Sequence, residues 1–208
     1  NISAQQQKEN FKDIVAYKKT NMNKVVLLLG NHDYHYLKTT NENYIGFQPL
    51  HKIDIQELLY TALDKFLLQI CYLHDNVLFS HAGVTKTWCD NNFTFYYNFK
   101  LPDLVNAIND KLKYSPNAFC FTSRTKRYNT GDDVTQSPIL VRPNCLFLDG
   151  LADCIQVVGH TTVNKIELTR TILKNGKSLR REDIILIDTI GTSGEYLQII
   201  DGIISVAK

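Results

Sequence analysis

KVVLLLGNHDYHY, residues 24–36, carries five aliphatic residues, Val25–Leu29, straight into Gly30, Asn31, His32 and Asp33. A buried strand that stops at Gly-Asn-His-Asp delivers hydrogen-bonding and metal-binding groups to one edge of a sheet. In open α/β sheets the crevice beyond the carboxyl ends of the strands is where ligands bind. A Gly-Asn turn followed by a histidine of no consequence is the bland alternative, and a tetrapeptide alone does not separate the two.

Composition narrows the classes. The chain has 208 residues and 23.9 kDa, enough for one domain with a full core or two small ones. Hydrophobic residues make up 44% and charged residues 21%, a globular balance that excludes a wholly disordered chain. A net charge of +2 leaves no basic footprint for a nucleic-acid polyanion. The apolar runs are too short to span a bilayer, and the N-terminus is Gln/Lys-rich where a signal peptide would be apolar. Five scattered cysteines with no Cys-x-x-Cys pair fit reduced core thiols, so a cytoplasmic location is expected.

Periodicity predicts a helix over residues 5–19, with Phe11, Ile14, Val15 and Lys18 at near-helical spacing, and then a strand over Lys24–Leu29. Asp54 has the look of an N-cap for a helix whose apolar stripe is Ile55, Leu58, Leu59, Ala62, Phe66 and Leu67. Gln69–Leu73 and Val77–Ser80 flank a His-Asp-Asn turn and suggest a hairpin. Pro102 sits at the first turn of a helix expected to reach Lys113. Residues 114–144, rich in Thr, Asn, Arg and Gly, read as a loop insertion over the sheet. Beyond Cys145 come short apolar runs at Leu146–Leu148, Ile155–Val158, Lys165–Leu168, Ile184–Ile187 and Tyr196–Ile200, the signature of a strand-rich half. The expected class is α/β, or α+β: a sheet sandwich flanked by helices.

The opening pattern recurs. VLFSHAGV at 77–84 is an apolar strand followed by His81 and a glycine turn, and IQVVGHTTV at 155–163 is another followed by Gly159 and His160. Glycine turns the backbone sharply and leaves room for a ligand. Neutral imidazole is the commonest metal ligand, and an asparagine carbonyl suits the same borderline divalent ions. A lone histidine after a strand is more often a turn residue, but three such turns in one chain would converge on one crevice.

GNHD at 30–33, HAGV at 81–84 and GHTT at 159–162, in that order, resemble the last three signature motifs of the calcineurin-like metallophosphoesterases. The GHT form resembles the branch holding the Ser/Thr phosphoprotein phosphatases and the diadenosine tetraphosphate hydrolases. SPILVRP at 137–143 is similar to the Ser-Pro…Arg-Pro segment of bacterial members. The resemblance implies the family's fold of two mixed sheets packed face to face, and two divalent ions, Mn, Fe or Zn, sharing a hydroxide. It implies Asn31, His81 and His160 as ligands of the second metal and His32 as the general acid that protonates the leaving oxygen. Asp33 completes the motif and is assigned to orient its neighbours, beside His32 in the catalytic set. For Arg142 a phosphate clamp and a surface arginine before a turn proline stand level, a guanidinium matching phosphate oxygens in pairs. Arg124, Lys126 and Arg127 read as a solvated cluster, His35, His51 and His74 as structural or surface residues, and Asp188 as structural.

The chain also departs from the family. The family's Asp-x-His and Gly-Asp-x-x-Asp motifs, which supply the first metal's ligands, lie upstream of the Gly-Asn-His turn, and neither precedes Gly30 here. Gly131-Asp132-Asp133 falls after the HAGV motif and ends no apolar strand. The domain, 1–208, is therefore expected to be N-terminally incomplete, with the native protein extending upstream of Asn1. On its own it should hold at most one ion, weakly, and show little activity. The expected partner is a phosphorylated substrate, a phosphoprotein or a nucleotide, with no membrane. A non-catalytic binding domain that keeps the fold is the rival, and a DNA nuclease is disfavoured by the near-neutral charge.

Overall fold

The computed structural model describes residues 3–37, 44–94, 96–98, 100–121, 132–174, 177–181 and 183–208. Helix α1, Ala4–Thr20, opens on a capping box in which the Ser3 hydroxyl accepts from Gln6 N–H and the Gln6 side chain returns to Ser3 N–H. Strand β1 is only Leu27–Leu28, shorter than the run that suggested it, because it pairs in parallel with a two-residue partner. A four-residue helical turn, α2, Asn31–Tyr34, follows, so GNHD is a helix start.

The next helix, α3, is Lys52–Asp64, entered through a 3-10 turn at Pro49–His51. Asp54 is not its N-cap. It lies in the first turn, where its carboxylate suits the helix dipole, and pairs with Lys8 Nζ of α1 at 2.6 Å. Phe66 is not on the buried stripe either: it lies beyond the helix end at φ 55° and is largely exposed. Then come β2, Leu68–Gln69, β3, Cys71–His74, and β4, Val77–Ser80, the last two forming the expected antiparallel hairpin.

Helices α4, Lys86–Asn92, and α5, Leu101–Tyr114, pack beside the hairpin, with Leu104, Val105, Ile108 and Leu112 on the buried face of α5. Trp88 of α4 donates its indole N–H to Ala118 O and packs against Phe119. Leu146–Leu148 is not a strand: it belongs to α6, Pro143–Asp149, with proline at the first turn. Leu146 and Phe147 are buried while Leu148 is half exposed, and adjacent buried residues fit a helix rather than an alternating strand.

The remaining strands are β5, Ile155–Val158, β6, Arg170–Lys174, β7, Lys177–Arg181, β8, Ile184–Leu186, β9, Tyr196–Ile200, and β10, Ile203–Ala207. Lys165–Leu168 forms no ladder, because the Ile166 N–H donates to the Glu195 carboxylate instead. Among the described residues the strands form one four-stranded mixed sheet, β3-β4-β5-β8, and three two-stranded ladders, β1-β2, β6-β7 and β9-β10. The fold is mixed α/β, and only one of these sheets is mixed where two were expected.

Alternation builds two layers onto the four-stranded sheet. Val77, Phe79, Val157 and Ile185 project to one face and pack with Leu197, Ile199 and Ile204 of the β9-β10 hairpin. Val158, Ile184 and Leu186 project to the other and pack with Leu146 and Phe147 of α6. The larger core, centred on Leu59, Ile70, Leu78, Trp88 and Ile108, lies among α1, α3, α4 and α5. That core carries β1 and the turn after it to the ends of β4 and β5.

Candidate functional site

The three motif turns meet. Asn31 Oδ1 lies 2.9 Å from His81 Nε2, and the same nitrogen lies 3.1 Å from His160 Nδ1. Parallel pairing of β4 and β5 sets this distance, since the Ser80–Val158 register places His81 and Gly159 side by side and Gly159 N–H donates to His81 O at 3.0 Å. His160 then takes a left-handed φ of 63°, a conformation that costs a non-glycine residue about 1–2 kcal/mol. Strain of this kind clusters at functional sites and persists only where its surroundings enforce it.

Each turn is fastened from outside. Asp33 Oδ2 accepts Gly30 N–H at 2.9 Å and closes the start of α2, so its carboxylate braces the turn that presents Asn31 and His32. Burial raises the Asp33 carboxyl, an effect the Gly30 N–H and the nearby His32 oppose. A methyl group at Gly30 would stand 3.0 Å from His81 Cε1, so glycine is what lets the two turns touch. The HAGV turn is held by Gln156, fully buried, whose amide oxygen accepts Val84 N–H at 2.7 Å and whose amide nitrogen donates to Val84 O at 3.0 Å. Ala82 N–H donates to Pro138 O at 2.7 Å, tying SPILVRP to the same turn. At the end of that segment, Arg142 Nη1 donates to Thr161 Oγ1 at 3.1 Å.

Electrostatics follow from burial. Asn31 is 6% exposed. Burial, with the charges of His32 and Arg142, pushes His81 down to about 4. Burial, with His81, Arg142 and His32, pushes His160 down to about 3. Both rings are therefore neutral at pH 7, with lone pairs able to bind a cation. One amide oxygen and two neutral imidazole nitrogens form a donor set suited to a borderline divalent ion. Among the described residues no group of three or more His, Cys, Asp or Glu is placed to hold a metal, so no carboxylate joins that set.

His32 stands at the exposed rim of this cluster, with its ring near His35 and Tyr44. Arg124, Lys126 and Arg127 lie outside the described residues. His51 pairs with Asp54 at 3.6 Å and His74 approaches Asp75 at 3.8 Å, both apart from the cluster. Asp188 serves the backbone, its carbonyl accepting Val163 N–H at 2.9 Å. An Asp-x-His spacing does occur in the chain, at Asp33-Tyr34-His35, and sequence reading passed over it. Its residues serve other ends: Asp33 holds Gly30, while His35 is 1% exposed among aromatic rings with Nδ1 taken by Tyr44 N–H. Gln156 escaped sequence reading, and His35, read there as a structural or surface residue, is buried. The clue to Gln156 was a glutamine inside an otherwise apolar run.

All five cysteines are free thiols. Among the described residues no helix is long and apolar enough to cross a membrane. No protein-family model matches the chain, and no curated protein does. Among solved structures, a cold-active protein-tyrosine phosphatase of the psychrophile Shewanella sp. is similar at a TM-score of 0.45 and 18% identity over 88% of this chain. A point mutant of a cold-active protein tyrosine phosphatase is similar at 0.40 and 20%, and a further structure of a cold-active protein tyrosine phosphatase at 0.37 and 19%. The chain spans 55% to 57% of the length of these phosphatase structures.

Proposed function

We propose that this chain carries the second-metal half of a metal-dependent phosphoesterase of calcineurin-like type, hydrolysing a phosphate ester of a phosphoprotein or a nucleotide. One observation carries the reading: Asn31 Oδ1, His81 Nε2 and His160 Nδ1, drawn from three separate turns, stand within 3.1 Å of one another along the chain of contacts through His81. The donor set fits a Mn, Fe or Zn ion, and Asn31, His81 and His160 would hold it. Bound there, a divalent ion supplies positive charge to the phosphoryl oxygens and acidifies water. The remaining work falls to side chains. Arg142, fixed through Thr161 beside both imidazoles, grips phosphoryl oxygens through two N–H groups. A water that has released one proton to solvent forms the new bond to phosphorus through its oxygen as the ester P–O bond breaks, and His32, at the rim, gives its proton to the departing oxygen. Asp33 keeps His32 in place by holding the turn.

Among the described residues no carboxylate joins the donor set, which favours one rival, a domain that binds a phosphorylated ligand without turning it over. The test uses p-nitrophenyl phosphate, phosphopeptides and dinucleoside polyphosphates with added Mn²⁺, on the complete product of the gene and on the 208-residue chain. Metal-dependent turnover by the complete product, abolished in His32→Ala, supports the enzyme. Phosphate binding without turnover supports the rival.

A further inference from the structure

Among the described residues the exposed His32 ring has no hydrogen-bond partner. Its ring neighbours are His35, edge-on with centroids 5.8 Å apart, and Tyr44 at 6.2 Å. An exposed imidazole held by nothing else would sample its rotamers freely. His35 is a different kind of residue, buried to 1% exposure at the end of α2. Its Nδ1 accepts the backbone N–H of Tyr44 at 3.1 Å, which puts the proton of the neutral ring on Nε2. Three aromatic rings enclose it: Tyr36 at 4.4 Å and Phe47 at 5.0 Å, both edge-on, and Tyr44 stacked at 5.6 Å and 18°. Tyr36 fastens the far end of the same segment, its Oη accepting Gln48 N–H at 2.9 Å. Between the two fastenings the chain turns at Gly46, φ 92°, where even a methyl group would come within 4.0 Å of His32 Nδ1.

We infer that His35 is a positioning residue: it clamps segment 44–48 over the site through Tyr44, and the clamped segment fixes where the His32 ring meets the leaving group. The inference rests on the general-acid role proposed for His32. Proton transfer needs the acid within hydrogen-bond reach of the departing oxygen, and a misplacement of about 1 Å can cost up to a hundredfold in rate.

His35→Phe and His35→Asn test it. Phenylalanine keeps the ring and removes the acceptor, whereas asparagine returns an acceptor oxygen close to the Nδ1 position. On the 208-residue chain, amide exchange at Tyr44 and the nuclear Overhauser contact between the His32 and Tyr44 rings are read by NMR. On the complete gene product, kcat and KM for p-nitrophenyl phosphate are read with Mn²⁺. In His35→Phe the Tyr44 amide should lose at least tenfold in protection and the ring contact should vanish, with kcat down about tenfold and KM within twofold. His35→Asn should recover both readouts. Retained Tyr44 protection in His35→Phe overturns the inference, as does a joint loss of kcat and stability that asparagine does not rescue. Where His35→Phe fails to fold, Tyr44→Leu keeps the backbone bond to His35 and removes the ring facing His32. Its kcat should fall with amide protection intact, and an unchanged kcat overturns the inference. A wild type with no turnover, together with lost protection in His35→Phe, sinks the phosphoesterase reading and supports the clamp.

Discussion

Gly83, the glycine of the His81 turn, is where the structure makes its sharpest energetic demand. Its φ is 111°, and an added Cβ would lie 2.3 Å from Leu146 Cδ2, 2.6 Å from Cδ1 and 3.0 Å from Cγ. Leu146 is fully buried on α6, packed with Ala82, Val158 and Ile184, so it has nowhere to retreat. Gly83→Ala therefore combines a positive-φ cost of about 1–2 kcal/mol with an overpacking cost of about 1–3 kcal/mol, a loss of about 2–5 kcal/mol. For a chain of this size that lowers Tm by roughly 4–20 °C. Gly194→Ala isolates the backbone part, because Gly194 has φ 68° and nothing within 4 Å of an added Cβ. It should cost only about 1 kcal/mol. Leu146→Ala alone opens a cavity worth about 2–5 kcal/mol, but in the double variant with Gly83→Ala the methyl group enters that space. The double variant should be less destabilised than the sum by about 1 kcal/mol or more, a coupling expected of residues in contact. Urea unfolding of the four variants and wild type measures all of this. A Gly83→Ala loss no larger than that of Gly194→Ala, or strict additivity with Leu146→Ala, would refute the argument that α6 is pressed against the His81 turn.

Three more outcomes are expected. His35 is held down at about 4 by burial and His32, while His81 and His160 are held at about 4 and about 3, all below the ordinary 6.5. Between those values the unfolded chain binds more protons than the folded one, so stability is full above about pH 6.5 and falls as pH drops toward 4. His35 alone contributes about 3 kcal/mol to that fall, since each tenfold loss of proton affinity on folding is worth roughly 1.4 kcal/mol. Urea midpoints from pH 7.5 to 4.5 should therefore slope less in His35→Phe, and a flat wild-type profile contradicts this. In the complete gene product, His32→Ala should reduce turnover about 10²–10⁴-fold with metal content intact, whereas His81→Ala or His160→Ala should lose metal by elemental analysis; equal metal loss in all three removes the general-acid assignment. Gly30→Ala, at an unstrained φ of −101°, should weaken Mn²⁺ binding by calorimetry by displacing the His81 ring, while lowering Tm less than Gly83→Ala does.

The elements that sequence reading found are those whose backbone partners are local or whose apolar pattern has one period. Val77–Ser80 and Ile155–Val158 are short, mostly apolar runs bounded by turn residues, and they lie in the sheet with both faces covered. Where a side chain takes over a backbone group, pattern fails: Ile166 looked like strand, but its N–H goes to Glu195. Asp54 looked like a cap because its partner, Lys8, lies 46 residues away and invisible to local rules. The β6-β7 hairpin was legible and was missed, since Asn175-Gly176 between Thr171–Lys174 and Lys177–Leu179 is a strong two-residue turn signal. The strand β10 follows another such signal, Asp201-Gly202, with φ of 52° and 76°.

The convergence of the three motif turns was legible for a different reason. Asn31, His81 and His160 each break a local expectation, polar groups at the ends of apolar strands beside glycine, and residues that break local rules without a nearby compensation are where function concentrates. The structure supplies the compensation at longer range: Gly159 N–H on His81 O, Gln156 on both polar groups of Val84, Asp33 on Gly30. Those braces hold two neutral imidazoles and an amide oxygen in mutual contact, with one ring in a left-handed backbone. A histidine–histidine contact of 3.1 Å gains little by itself, because one imidazole N–H cannot serve Asn31 and His160 fully at once. Under the metal reading proposed above, a cation there would take the lone pairs of Asn31 Oδ1 and His160 Nδ1, and that of His81 Nε2 once its proton stands on Nδ1. His35 was read as a structural or surface residue, but its partners were illegible: Tyr44 N–H and three enclosing rings, none of which its place in Asp-Tyr-His-Tyr announces.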